Sequence, residues 1–348
     1  MNPQDGPHNE NDVLLAATYD VAVIGGAAAG LSAAVALGRF DQSVVVIDDA
    51  QPRNAAAGHV HNMLTRDGTP PAELYRLGRI EVERYGGLLV NGTVSAIHGS
   101  VGAFRVKLDN QVIGAQQITA RRIIVTTGAW DELPDVPGLA QQWGKAVLHC
   151  PFCHGYEVRN QRLGVLATGP MAIHQAMMFR LLSPHVTVLA HTAPPTPEQG
   201  EDLAARGISV AAGVVAEVLS DAEGDHARLT GVRLTDGSRI ELDAVVVAST
   251  VHARADFLAP LGLLPTEFSV NGHVIATRIE TGLNGATAVP GVWIAGNITE
   301  PMAQVVSAAA AGLAAASAII GDILTARPVG HHEKVLSIPM SMSASSSG

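Results

Sequence analysis

The stretch YDVAVIGGAAAGLSAA, residues 19–34, decides the fold. It opens on an apolar, β-branched run, Tyr19–Gly25, that breaks into glycine and alanine. Ala28–Phe40 follows with helical composition, and SVVVI at 43–47 is a second apolar strand ending in Asp48-Asp49. Strand, tight turn, helix and strand within about thirty residues is the parallel β-α-β unit of a doubly wound sheet. Such a turn lets the backbone approach a pyrophosphate closely, with the anion on the helix N-terminus. Gly25, Gly26, Ala27, Ala29 and Gly30 frame it, with Ala27 at the middle-glycine position. Asp48, 23 residues after Gly25, stands where an acid meets ribose hydroxyls.

Outward from this unit, Tyr75–Tyr85 reads as helical, and Gly87–His98, Ala103–Leu108 and Arg122–Thr126 read as strands. A second unit begins with LGVLATG (163–169). Met171–Leu182 is its helix and HVTVLAH (185–191) its next strand. Short alternating strands with turn signals such as TDGSR (235–239) lead to VVVAS at 245–249. GVWIAG (291–296) is a last apolar strand running into an Ala-rich helix. Two β-α-β units about 140 residues apart suggest two related nucleotide-binding domains, an α/β fold of three-layer, Rossmann-like type.

The 348 residues are 47% hydrophobic and 16% charged, which permits a sizeable core. Net charge is −10 and no basic run of five or more occurs, so a nucleic-acid or acidic-membrane partner is not expected. Residues 1–17 are polar and acidic, without the basic and apolar regions of a secretory signal. Pro301–Gly321 carries no charge and is long enough to span a membrane. Nine of its residues are Ala, however, and a small-residue helix packed closely against a sheet is the better reading. Two cysteines in all make no disulfide framework and fit a reducing, cytoplasmic compartment. The tail from Arg327 is Ser-rich and reads as disordered.

Both cysteines lie in HCPFCH, residues 149–154. CxxCH is the pattern of c-type haem attachment, but that needs an export compartment. Zinc needs four ligands, and two Cys with two flanking His rarely converge on one ion. A structural disulfide across so short a loop restricts the unfolded chain little. A redox-active pair, in which a strained loop and low-pKa thiolates favour exchange, is the strong reading, and no metal is expected.

Taken in order, VIGGAAAGLSAA (23–34), VVVID (44–48), IIVTTGA (123–129), CPFCHG (150–155) and GVWIAGNITEPMAQVVSAAAAG (291–312) resemble the low-molecular-weight thioredoxin reductases. These are FAD-dependent pyridine-nucleotide disulfide oxidoreductases, and the resemblance covers about residues 18–326. It implies an FAD-binding domain in two parts (18–131 and 251–326) interrupted by a NADPH-domain-like module (132–250) bearing the CxxC. It implies FAD pyrophosphate at Gly25–Gly30, the adenosine ribose at Asp48, and further FAD contacts at Val94, Thr127 and Gly128. Asn62, from HVHNML, matches a family asparagine near the flavin. Gly296, Asn297, Ala303 and Gln304 match the ribityl and pyrimidine site, although the family usually has Asp where Asn297 stands. Homodimers are usual in the family.

His154 stands where thioredoxin reductases carry Asp. In this, CPFCHGYE resembles the CxxCH dithiol oxidases of gliotoxin, holomycin and romidepsin biosynthesis. A histidine titrates near neutrality and can take a proton from an incoming thiol. His59, His61 and His149 read as structural. The second turn, Ala167-Thr168-Gly169-Pro170-Met171-Ala172, has Ala where the first Gly of a nucleotide turn belongs. After VTVLAH, the run TAPPTPEQGED offers no cation to a 2′-phosphate until Arg206. The expectation is therefore an FAD-dependent oxidase of a small-molecule dithiol, working through Cys150, Cys153 and His154 with O₂ as acceptor. The rival is an NAD(P)H-dependent disulfide reductase.

Overall fold

The computed structural model describes residues 18–109, 117–222, 224 and 227–326, so the readings made for the N-terminus and for the tail lie outside the described residues. The chain runs through β1 (Thr18–Ile24), α1 (Ala28–Arg39), β2 (Val44–Asp48), α2 (Pro71–Arg84), β3 (Leu88–Asn91), β4 (Val94–His98), β5 (Phe104–Leu108) and β6 (Gln117–Val125). β7 (Ala129–Glu132), β8 (Val147–Leu148), the single-turn α3 (Pro151–His154), β9 (Leu163–Leu166), α4 (Met171–Arg180), β10 (Val186–Leu189), α5 (Pro197–Ala205) and β11 (Ser209–Ala211) follow. Then come β12 (Val215–Ser220), β13 (Leu229–Leu234), β14 (Arg239–Glu241), β15 (Ala244–Val247), β16 (Thr250–Ala253), β17 (Thr266–Val270), β18 (His273–Arg278), β19 (Val292–Ile294) and α6 (Val305–Ala326).

The first sheet has the order β3-β2-β1-β6-β5-β4, with β19 on β6. Its β3, β2, β1, β6 and β19 are parallel, as β-α-β crossovers require. Ile24 is in register with Ile47 and Val125, and Val125 with Ile294. The turns at Gly25, Asp48, Thr126–Gly128 and Gly296 are thereby brought to one carboxyl edge, where open α/β sheets bind ligands. The second sheet, β11-β10-β9-β15-β8, is parallel throughout, with Leu166 opposite Leu189 and Val247, and Val246 opposite Leu148. Its carboxyl edge carries Ala167, Ala190, Ala248 and His149. β7 and β16 pair antiparallel between the two sheets.

Burial explains the apolar runs. Val21, Val23 and Ile124 face α1 and α6 on one side of the first sheet, while Ile123, Phe104 and Ile118 fill its other side. In the second sheet Val165 packs with Phe179 of α4, and Val245 with Val218 and Val232 of β12 and β13. Each such side chain, fully buried, contributes roughly 1.5–3 kcal/mol. α6 is long and apolar enough to cross a membrane by length and composition. Its Ala308, Ala315, Ala316 and Ile319 nevertheless belong to the core of the first sheet. It lies against α1 as well as the sheet, so close that a Cβ on Gly312 would come within 2.0 Å of the Ala29 carbonyl oxygen.

Three boundaries differ from the sequence reading. Gly87–His98 is two strands, because β3 pairs with β2 at one edge of the sheet while β4 pairs with β5 at the other. α2 begins at Pro71 rather than Tyr75; proline suits a first helical turn, where its missing N–H is not used. β6 begins at Gln117, five residues before Arg122, because its first half pairs with β5.

Candidate active site

The two carboxyl edges enclose a cavity of about 650 Å³. Ala27, Ala29, Thr127, Gly128, Gly296, Asn297, Ala303 and Gln304 line it from the first sheet's side. Cys150, Cys153 and His154 line it from the other. Gly25, Gly26, Gly30, Asp48, Asn62 and Val94 do not border it. Val94 is a buried residue of β4 opposite Leu108.

The turn after β1 is a cradle that side chains would fill. A Cβ on Gly30 would sit 1.9 Å from the Gly25 carbonyl oxygen, and one on Gly25 2.5 Å from the Thr126 oxygen. The Thr126 hydroxyl donates to the Gly25 carbonyl at 2.8 Å. α1 starts at Ala27 with no side-chain cap and no acid in its first turn. Its first N–H groups are free for an anion, so the residues fit a nucleotide pyrophosphate. Asp48 is already engaged: it accepts from the Gly26 N–H at 2.9 Å and pairs with Arg79 of α2. A carboxylate has about four acceptor positions, so ribose hydroxyls still have room on it.

Gly296–Gln304 forms the wall leading into α6. The Asn297 amide nitrogen donates to the carbonyls of Glu300, Pro301 and Ala303 at 3.1, 3.2 and 2.9 Å. An aspartate has no hydrogen for these three oxygens, which accounts for the amide at this position. The side-chain oxygen of Asn297 is the atom left for a ribityl hydroxyl. Asn62, at φ +60°, donates to the Phe152 carbonyl at 2.8 Å and to Gln304 at 3.2 Å. It clasps the CxxC loop from outside the cavity.

Cys150 caps α3 with extended backbone, and the N–H groups of Cys153 and His154 both donate to its carbonyl at 3.2 Å. Pro151 in the first turn and Gly155 after the last keep this helix to one turn. The sulfurs are unbonded thiols that face each other. A hydrogen bond from the Cys153 thiol, opposed by burial, brings Cys150 down to about 7 from an ordinary thiol near 9. The same hydrogen bond, with burial, holds Cys153 well above the ordinary range. Cys150 is thus the thiolate and Cys153 its proton donor. Burial pushes His154 below the ordinary histidine value, and its buried Nε2 has no hydrogen-bond partner. His154 thus keeps a neutral imidazole beside the cavity, with Nε2 itself shielded.

Sequence reasoning missed a polar chain beside the thiols. Arg53 grips Asp131 with two bonds of 2.7 and 2.6 Å. The Ser249 hydroxyl donates to Asp131 at 2.8 Å and lies 3.4 Å from His149 Nδ1. Burial pushes the Asp131 carboxyl up, but the Arg53 guanidinium more than offsets this, and it stays below the usual carboxylate range. Burial, then the Arg53 charge, holds His149 below the ordinary histidine value. His149 lines the cavity. His61 lies between Asp67 (3.2 Å) and Glu157 (3.4 Å). No group of three or more metal-ligating side chains occurs among the described residues.

Residues 19–312 match the family model for pyridine nucleotide-disulphide oxidoreductases. Thioredoxin reductase tcpT of Claviceps purpurea is 33% identical over 289 residues, covering 80% of this chain and 86% of the relative. Thioredoxin reductase sirT of Leptosphaeria maculans is 30% identical over 317 residues, covering 86% and 93%. The crystal structure of HlmI is similar at a TM-score of 0.79 and 39% identity, covering 88% of this chain and 93% of HlmI. With its glycine cradle, its CxxC and these relatives, the chain belongs to the pyridine nucleotide-disulphide oxidoreductase family, as a flavin-dependent enzyme of the thioredoxin-reductase-like type.

Proposed function

We propose that the protein is an FAD-dependent dithiol oxidase that closes a disulfide in a small molecule, with O₂ as electron acceptor. The observation that carries this reading is His154: a partly buried imidazole directly after Cys153, held neutral by burial and lining the cavity beside the thiols. A substrate thiol losing its proton to the His154 imidazole becomes a thiolate and attacks Cys150 of the oxidised Cys150–Cys153 pair, and Cys153 leaves. The second substrate thiolate then attacks the substrate sulfur of the mixed disulfide. Cys150 leaves and the substrate disulfide is complete. A low thiol pKa makes Cys150 the better leaving group in this step. Bound FAD would supply the two-electron acceptor that restores the Cys150–Cys153 disulfide, with O₂ as the final acceptor of the pair and two protons, giving H₂O₂. Gly25–Gly30 and Asp48 would hold its pyrophosphate and ribose, and the Gly296–Gln304 turn its ribityl end.

The departures of the second unit's turn from a nucleotide-binding turn support an oxidase over a reductase. Ala167 is buried and its carbonyl already accepts from the N–H groups of Thr192 and Ala193 at 3.2 and 3.0 Å. Arg206, the first cation after β10, pairs with Asp202. The names of the relatives favour a second reading, an NAD(P)H-dependent disulfide reductase. Oxygen uptake separates the two. Uptake with dithiothreitol alone, matched by H₂O₂ and not increased by NADPH, is the expected result. No uptake until NADPH is added would establish the reductase.

We place 132–250 as a module inserted between the FAD-domain segments 18–131 and 251–326, in a cytoplasmic homodimer. An apolar groove of about 570 Å³ between α1, α2 and α6, with Phe40 and Leu313 exposed at it, supports a second copy as its cover. Light scattering on the holoprotein tests this; a monomer at micromolar concentration contradicts it.

A further inference from the structure

Arg53 has no part in the chemistry above, yet it joins both walls of the cavity. Its Nη1 donates to the Pro301 carbonyl at 2.6 Å, in the turn that Asn297 holds. Its other donors grip Asp131 of β7. Asp131 takes the hydroxyl of Ser249, which follows β15, and that hydroxyl lies 3.4 Å from the ring of His149, the residue before Cys150. Asp131 and Pro301 are 78 and 248 residues from Arg53 in sequence, so the fold alone brings them together. Among the described residues lining the cavity, Arg53 carries the one fixed positive charge and Asp131 the one fixed negative charge. A buried ion pair is by itself a weak stabiliser, because desolvation offsets most of the attraction. A planar fork that meets three acceptor atoms on two separate segments sets geometry instead.

We propose that Arg53 is a positioning residue for the dithiol step: it locks the flavin-side turn at Pro301 to β7 and, through Asp131 and Ser249, to the approach of Cys150. The two walls then keep one spacing as electrons leave the dithiol. The proposal rests on the dithiol reading above. Lysine keeps the charge but is a point donor on a flexible stem and cannot hold all three acceptors.

The test is Arg53→Lys in the flavin-loaded enzyme. Steady-state kinetics with dithiothreitol should show kcat lower by about ten-fold or more with KM little changed, because a small misplacement is costly in the chemical step. In a Cys150→Ser background, Arg53→Lys should weaken the long-wavelength absorption of the Cys153 thiolate against the flavin. Unchanged kcat and absorption would overturn the proposal, and so would a raised KM at unchanged kcat. If Arg53→Lys fails to fold or to hold flavin, Ser249→Ala decides, since it cuts only the link from Asp131 towards His149. A lower kcat at unchanged melting temperature supports the proposal, and an unchanged kcat contradicts it. Iodoacetamide alkylation of Cys150 across pH in the reduced protein needs neither O₂ nor nucleotide. Arg53→Lys should move that profile even if NADPH proves to be the reductant, and an unmoved profile counts against the proposal.

Discussion

The turn after β1 and the turn after β9 leave their sheets at equivalent places, each between a buried parallel strand and the helix that crosses back. Around the first, every neighbour leaves room for a ligand. Gly25 and Gly30 touch backbone to backbone, α1 starts uncapped, and Asp48 stands at the tip of β2. Around the second, Thr168, Gly169 and Pro170 border the cavity, but the first glycine is replaced by Ala167 and its neighbours are tied to the protein. Ala167 is buried under the chain at Thr192 and Ala193. His191, just past the tip of β10, spends its Nδ1 on the Val215 N–H at 3.1 Å. Helix and sheet packing hold a β-α-β unit whatever its turn binds, because hydrophobic burial sets the unit and a few polar atoms set the ligand.

The comparison breaks most sharply at its glycines. Gly30→Ala puts a methyl carbon onto the Gly25 carbonyl, and should cost about 3 kcal/mol or more and expel the flavin. Gly169→Ala, in the second turn, meets nothing within 4 Å and should stay within about 0.5 kcal/mol. Thermal melts with flavin absorbance check both. A Gly30→Ala protein that keeps its flavin and melts normally would undo the distinction.

At the dithiol, Cys150→Ser and Cys153→Ser should each abolish turnover. Cys150→Ser also removes the hydrogen bond that holds Cys153 up, so Cys153 should ionise beside the flavin and give a long-wavelength band. Cys153→Ser should lack the band and trap substrate on Cys150. Reversed spectra would exchange the two roles.

His154→Ala should lower the rate near pH 7 by about a hundred-fold, with recovery in alkali as bulk solvent takes the proton. Its folded value is depressed, so the neutral base persists below the ordinary histidine pKa and is lost only as pH falls through the lower value. An unchanged pH–rate profile in the variant would return His154 to a structural role. A smaller effect separates the thiols in the reduced wild type. Alkylation of Cys150 should be half-maximal near pH 7 and that of Cys153 far higher, whereas equal profiles would remove the asymmetry.

The first unit was legible because its signals are local: a strand, glycines at fixed spacing, a helix and an acid within thirty residues. The CxxCH was legible for the same reason. Arg53 was not, since no local pattern pairs an arginine with a carboxylate 78 residues on. Arg79 was hidden likewise: it reads as one charge on an amphipathic helix until β2 brings Asp48 beside it. Asn297 showed as a departure from the family's usual Asp, but only the turn shows why an amide belongs there.

Anaerobic stopped-flow reduction is the most direct test of what the difference between the two turns means. Dithiothreitol should bleach the flavin at least as fast as steady-state turnover. Millimolar NADPH or NADH should bleach it slowly or not at all, because Ala167 replaces the first glycine of the turn and Arg206, the first Lys or Arg after β10, is paired with Asp202. Bleaching by either nucleotide faster than turnover would contradict the oxidase account and make the second turn a working nucleotide site.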